Sequence, residues 1–226
     1  MKLLALIPAR GGSKRIPRKN IRPFCGKPLL QWTIEAAQSA ACIDQIVVST
    51  DDLEIAEVAR AGGAEVPFMR PTELATDDSP SISTVLHTLH QLPAMSDIIL
   101  LQPTSPLRSG ADIDGIFSHR NYLGCANMVS VVQTSKHPAW AYNLSSDWLI
   151  QPIVSSGFNR NRQDLPPAYM LNGALYLASR EFLLKEKTFL TPNTAAYVMP
   201  PERSPDIDTP IDWQWAEFLM ASQKLT

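Results

Sequence analysis

No apolar run in this 226-residue chain approaches the roughly 20 residues of a membrane span, so a helical membrane protein is excluded. Met1-Lys2 leads straight into a short strand, without the layout of a signal peptide. Cysteine is scarce. Cys25, Cys42 and Cys125 lie far apart and form no CxxC pair, which argues against a disulfide framework or zinc site and for a reducing cytoplasm. The formal net charge is -2; a general nucleic-acid or membrane-surface binder would carry a basic excess. No GxGxxG follows the first strand, so a dinucleotide cofactor is disfavoured. There is no Walker A spacing, no GxSxG elbow and no internal repeat.

What is present is an ordinary globular composition, 45% hydrophobic and 19% charged, with nineteen prolines, many for this length. The length suits one α/β domain, or a domain plus a small lobe. Residues 2–7 read as a strand. Residues 28–37 read as a helix with Leu30, Ile34 and Ala37 in its 3.6 period. Strands are predicted at 46–49, 64–66, 97–101, 127–133, 171–178 and 197–199, with helices at 53–61, 81–92, 111–120 and 211–220. Asp51-Asp52 suits the cap of the second helix. The closing helix is expected to bury Ile211, Trp215, Phe218 and Leu219; Trp32, Trp213 and Trp215 read as core. This alternation predicts a mainly parallel, Rossmann-like α/β sheet with helices on both faces. It breaks at about 134–170, a Trp- and Pro-rich insertion in which 141–144 and 148–153 can pair as a hairpin.

Chemistry concentrates in loops after strands, which share one edge of a parallel sheet and can converge on one crevice. The first, Ala9–Asn20, follows a buried strand and carries Arg10, Gly11, Gly12, Ser13, Lys14, Arg15, Arg18 and Lys19. Backbone amides of Gly11, Gly12 and Ser13 can approach an anion, and the cations neutralise it, as a phosphate cradle requires. The second loop supplies Arg70. The third supplies Gln102, Thr104, Ser105 and Arg108, suited to hydroxyls and carboxylates. The fourth supplies Asp206 and Asp208, which share one side of an extended segment and can hold Mg²⁺ against phosphate. Asp208 or Thr209 can instead cap the last helix. His87 and His90, spaced i,i+3, lack a third metal ligand; His137, beside Pro138, is the better functional candidate.

In order along nearly the whole chain, IPARGGSKRIPRKNI, the RPTELA loop, LQPTSPLR, NGALYL and DIDT resemble the cytidylyltransferases that activate nonulosonic acids: the sialic, legionaminic and pseudaminic acid enzymes. The resemblance implies a nucleotide-diphospho-sugar transferase-like fold in a single domain, 1–226, with a dimerisation lobe at 134–170. It implies that CTP and a nine-carbon keto-acid sugar react, the anomeric hydroxyl attacking the α-phosphorus to give a CMP-sugar and pyrophosphate. Ala9–Lys14, Lys19, Asn20 and Arg70 match the nucleotide-binding positions, with Arg10, Lys19 and Asp208 carrying catalysis. Gln102, Thr104, Ser105, Arg162 and Asn172 match sugar-side positions, and Asp206 and Asp208 the metal ligands. The proton acceptor stays open between Asp208 and a metal-bound water. Relatives form homodimers through the lobe, which reaches the partner's active site. One departure is His137-Pro138-Ala139-Trp140, where sialic-acid members place a lysine two residues after the proline. It points to a more apolar sugar such as legionaminate or pseudaminate. A Kdo-type cytidylyltransferase and a non-catalytic nucleotide-binding module are the competing expectations.

Overall fold

The structure is a computed structural model that describes residues 2–155 and 161–223. Strand β1, Leu3–Pro8, is its centre: five of its six residues are buried. After it comes a tight hairpin, β2 (Pro23–Phe24) and β3 (Lys27–Pro28), turned by Cys25 and Gly26 at φ 47° and 94°, as a two-residue hairpin turn with both φ positive demands. Helix α1, Leu29–Gln38, leads into β4, Gln45–Ser49, and α2, Leu53–Ala61. Helix α3, Ser81–Gln91, precedes β5, Asp97–Leu100. Helix α4, Gly110–Leu123, opens on a capping box between Ser109 and Asp112. Strands β6 (Asn127–Gln133), β7 (Tyr142–Leu144), β8 (Ile150–Pro152) and β9 (Tyr169–Ser179) follow, then α5 (Arg180–Glu186), β10 (Ala195–Met199) and α6 (Pro210–Gln223).

Six strands make one sheet in the order β10-β6-β9-β5-β1-β4. β1 runs parallel to β4 and β5, and β10 parallel to β6, while β9 is antiparallel to both its neighbours. The mainly parallel reading therefore holds, with one reversed strand inside the sheet. Side chains alternate across it. Leu3, Ala5 and Ile7 join the core that holds Ile34, Ile55 and Ile113 of α1, α2 and α4. Leu4 and Leu6 join the core that holds Val85 and Leu89 of α3 and Leu183 of α5. This period-two division puts helices on both faces. A third cluster lies beyond the sheet: Ile16, Phe24, Leu29, Leu107, Ile207, Trp213, Ala216 and Met220. It joins the first loop to the segment before α6.

The structure departs from the sequence reading in places. Residues 64–66 form only an isolated bridge, Val47 to Glu65. Helix α5, capped by Ser179, follows β9 where the sequence reading assigns no element. Helix α6 buries Trp213, Ala216 and Met220 and leaves Ile211, Trp215 and Phe218 exposed, with Leu219 partly covered. Trp215 is therefore not core; its ring stacks on Phe218 at 5.4 Å. The 134–170 insertion does carry the expected hairpin, with β7 and β8 forming their own two-stranded sheet. Among the described residues no helix is long and apolar enough to cross a membrane.

Candidate active site

The C-terminal end of β1 borders a cleft of about 540 Å³. β4 pairs on one side of β1 and β5 on the other, so the cleft lies where α/β sheets open a crevice. The first loop walls it with Arg10, Ser13, Lys14, Arg15, Lys19 and Asn20. The loop's shape is enforced from β4 and α2. Asp52 caps α2, accepting from the Ile55 amide at 3.0 Å, and also pairs with Arg18. Arg18 takes a left-handed conformation (φ 55°) and reaches Glu54 as well. Its hydrogen bond to Asp52 raises the guanidinium's pKa and lowers the carboxylate's. A Cβ on Gly11 would stand 2.7 Å from Asp52 Oδ2, so close packing on Asp52 requires a glycine there.

The cradle differs from expectation in its donors. The Gly11 amide donates to Asp51 Oδ1 at 3.0 Å and the Ser13 amide to the Gly11 carbonyl at 3.1 Å. Of the three amides, Gly12's is left as the open donor among the described residues. Ala9 is buried and its amide bonds the Ser49 carbonyl at 3.0 Å, so Ala9 faces the core, not the cleft. Asn20, also buried, holds the Arg10 carbonyl through Nδ2 at 2.9 Å.

Opposite the loop lies the acidic pair. Ile207 is fully buried in the third cluster, and Asp206 and Asp208 on either side of it are exposed, the alternation of an extended segment. Lys19 Nζ donates to the Ile207 carbonyl at 2.7 Å and meets Asp208 Oδ1 at 3.3 Å; Arg15 stands 3.9 Å from Asp208. Thr209, not Asp208, caps α6: its hydroxyl receives the Asp212 amide and Asp212 answers the Thr209 amide at 2.7 Å. Asp208 is thus not committed to the helix. Although the residue as a whole is exposed, the protein packed around its carboxylate desolvates it and raises the Asp206 pKa, with the nearby Asp208 and Asp212 adding to the rise and Thr104 and Lys19 opposing it.

Arg70 is buried yet lines the cleft. Its Nε donates to Ser49 Oγ at 3.1 Å and its NH2 to the Ser49 carbonyl. Burial pushes its pKa down to about 10, so it remains a cation at neutral pH. Gln102 and Thr104 line the cleft beside it. Gly173 (φ 74°) brings β9 up to them. A Cβ there would stand 3.6 Å from Gln102 Oε1 and 3.7 Å from Asp206 Oδ2.

Other expected ligands fall elsewhere. Ser105 is fully buried. Arg108 is buried too, bonding the Ala174 carbonyl at 2.9 Å and Thr33 Oγ1 at 2.8 Å, and burial pushes its pKa down to about 9; it is a strut between loop, helix and strand. Asn172 accepts from Ser130 Oγ at 2.6 Å and donates to Ser204 Oγ at 3.0 Å. Ser105 and Asn172 therefore lie behind the cleft wall in this structure. The backbone of Arg162 lies on a short turn, Arg162–Asp164; its side chain is outside the described residues. His137 closes the turn at Pro138–Trp140, accepting from the Ala139 amide at 3.1 Å and facing the Pro166 carbonyl at 3.1 Å. Ser79, Ser81 and Thr84, at and before the start of α3, line the cleft. Nothing in the sequence singles them out, because hydroxyls at a helix start are ordinary there. Asp77 also lines the cleft and pairs with Arg10 and Lys14.

A family model described as cytidylyltransferase matches residues 4–189. The CMP-N,N'-diacetyllegionaminic acid synthase of Legionella pneumophila is 40% identical over 230 residues, covering 97% of each chain. The N-acylneuraminate cytidylyltransferase of Streptococcus agalactiae is 37% identical over 94% of this chain, which spans only 52% of that relative. Among solved structures, a CMP:2-keto-3-deoxy-manno-octonic acid synthetase complexed with CTP superposes with a TM-score of 0.77 over 99% of this chain and 100% of that one. At 19% identity this likeness is one of fold.

Proposed function

Since the chain belongs to the cytidylyltransferase family, we propose that it transfers CMP from CTP to the anomeric hydroxyl of a nonulosonic acid and releases pyrophosphate. The observation that carries this reading is the meeting, through Lys19 and Asp208, of a cationic loop and an acidic pair 189 residues apart. Phosphoryl transfer asks a protein for positioning and charge neutralisation more than for covalent help. Arg10, Lys14 and Lys19 supply cations along one wall of the cleft. Lys19, braced on the Ile207 carbonyl, is fixed where it can steady the leaving pyrophosphate. Arg70 and Asn20, both buried, shape the nucleoside end.

Asp206 and Asp208 suit Mg²⁺ by the chemistry of their donors. Both are hard oxygen ligands turned outward from a buried Ile207, and Mg²⁺ typically takes one or two carboxylates and completes its shell with substrate phosphate and water. When bound there, the ion would neutralise charge developing on the phosphates. The chain's residues orient the two substrates: Gln102 and Thr104 hold the sugar side, and the attacking hydroxyl gives up its proton toward the carboxylate edge.

The sugar we favour is of the legionaminate type. Trp140 stands where a lysine was expected from the sialic-acid pattern, and the turn that presents it is fixed by His137. Pyrophosphate release should be measured with CTP and a panel of N,N'-diacetyllegionaminate, pseudaminate, N-acetylneuraminate and Kdo. The diacetylated, deoxygenated acids are expected to turn over fastest. Turnover with Kdo alone would overturn the sugar assignment. No turnover with any of the four would overturn the activity.

The β7–β8 hairpin supports a homodimer. Trp148 is 82% exposed and Leu149 65%, beside the exposed Leu144 and Ile150, an apolar surface of the kind that marks protein contact sites. Light scattering should give about twice the 25.0 kDa of one chain; a monomer mass at assay concentration would contradict the dimer. A cytoplasmic location fits three cysteines that no disulfide joins.

A further inference from the structure

The cations of the first loop already hold an anion, and it comes from this chain. Asp77, on the loop between α2 and α3, places Oδ1 2.7 Å from Arg10 NH2 and Oδ2 against Lys14 Nζ. A second Arg10 nitrogen donates to the Ala75 carbonyl of the same loop at 3.4 Å. Asp77 thus joins two side chains that line the cleft, and lines it itself. Behind them lies a second cavity of about 410 Å³ that shares Arg10, Ser13, Lys14, Thr76 and Asp77 with the first. The contact is therefore part of the wall between the two. With the Gly11 and Ser13 amides engaged inside the protein, the side chains of Arg10 and Lys14 carry much of the loop's attraction for phosphate.

A carboxylate and a polyphosphate cannot both occupy these two cations without repulsion. We infer that Asp77 is the resident anion of the triphosphate site: it holds Arg10 and Lys14 in the empty enzyme, yields them to the incoming nucleotide, and competes for them again as pyrophosphate leaves. The inference rests on the reading of this cleft as a CTP site. It gives Asp77 a function that opposes product binding, whereas a carboxylate that merely braces the loop would favour it. The pairs are solvent-accessible, with side-chain exposures of 34% for Arg10, 81% for Lys14 and 38% for Asp77. The effect is accordingly modest and sensitive to salt.

The test is titration calorimetry of inorganic pyrophosphate, and separately of CTP, into wild type, Asp77→Asn and Asp77→Ser, with Asp78→Asn as control. Asp78 is exposed on the same loop, outside the described ion pairs, so its variant removes the same charge without the contact. Both Asp77 variants are expected to bind pyrophosphate roughly three- to tenfold more tightly than wild type, the range of two exposed ion pairs released from competition. The Asp78 variant should match wild type. Unchanged or weaker pyrophosphate binding in the Asp77 variants overturns the inference, as does equal tightening by Asp78→Asn. If wild type binds CTP and pyrophosphate and the Asp77 variants do not tighten, the inference alone fails. If wild type binds neither ligand, the reading of the cleft fails and takes the inference with it.

Discussion

Asp208→Asn is expected to lower kcat by about two to three orders of magnitude while CTP affinity changes by no more than a few-fold. The asymmetry follows from what Asp208 touches. It does not cap α6, because Thr209 and Asp212 do, so the substitution leaves the helix intact. The Lys19 brace on the Ile207 carbonyl also survives, so the nucleotide keeps its cationic wall. What is lost is one of two carboxylates that can hold a divalent cation against the reacting phosphate, and an amide oxygen is a weaker, uncharged substitute. The damage should therefore fall on the transition state. Single-turnover rates and equilibrium CTP binding, measured on the same preparation, separate the two effects. Wild-type turnover in the presence of Mg²⁺ would remove Asp208 from the mechanism.

The largest expected effect on stability lies at the opposite end of the sheet. Asp97 opens β5 with only 1% of its side chain exposed, and Arg120 of α4, 7% exposed, faces it at 2.8 Å. Arg120 also donates through Nε to the Cys125 carbonyl at 3.1 Å. Taking two charges out of water is costly, and removing one partner leaves the other buried and uncompensated. Asp97→Ala is expected to destabilise the fold by about 3–5 kcal/mol. For a chain of this size that is a fall of roughly 6–20 °C in Tm. Pairing it with Arg120→Met should recover much of the loss, because an apolar pair of similar volume avoids the orphaned charge. Thermal unfolding of the two single variants and the double one checks this; a loss in the double equal to the sum of the singles would mean the pair is uncoupled.

The parts of this molecule legible in its sequence are those whose cause is local. β1 is a run of apolar residues ending in glycines and cations, and both its burial and the cationic wall follow from that run. The outward turn of Asp206 and Asp208 around Ile207 follows from period two alone. Helix α6 shows where local reasoning stops. Ile211, Trp215 and Phe218 keep a helical period, and so do Trp213, Ala216 and Met220; the choice between the stripes is made by Phe24 and Ile16, distant in sequence, which offer a surface only to the second. The burial of Asn172 and Ser105 has a similar, non-local cause. β9 inserts antiparallel between β5 and β6, which brings Gly173 to the cleft and turns Asn172 into the scaffold. The capture of Arg10 and Lys14 by Asp77 is a contact between two loops, and no periodicity announces such a contact.

The central claim is that one cleft, walled by Arg10, Lys14 and Lys19 and closed by Asp206 and Asp208, joins CMP to a nonulosonic acid. Its most direct test is ³¹P NMR of the purified protein with CTP, Mg²⁺ and N,N'-diacetyllegionaminate. The account predicts that the three CTP resonances give way to inorganic pyrophosphate and one new phosphodiester signal in equal amounts, and only when the sugar is present. Loss of CTP at the same rate without sugar, or no new phosphodiester with any nonulosonic acid, would contradict it.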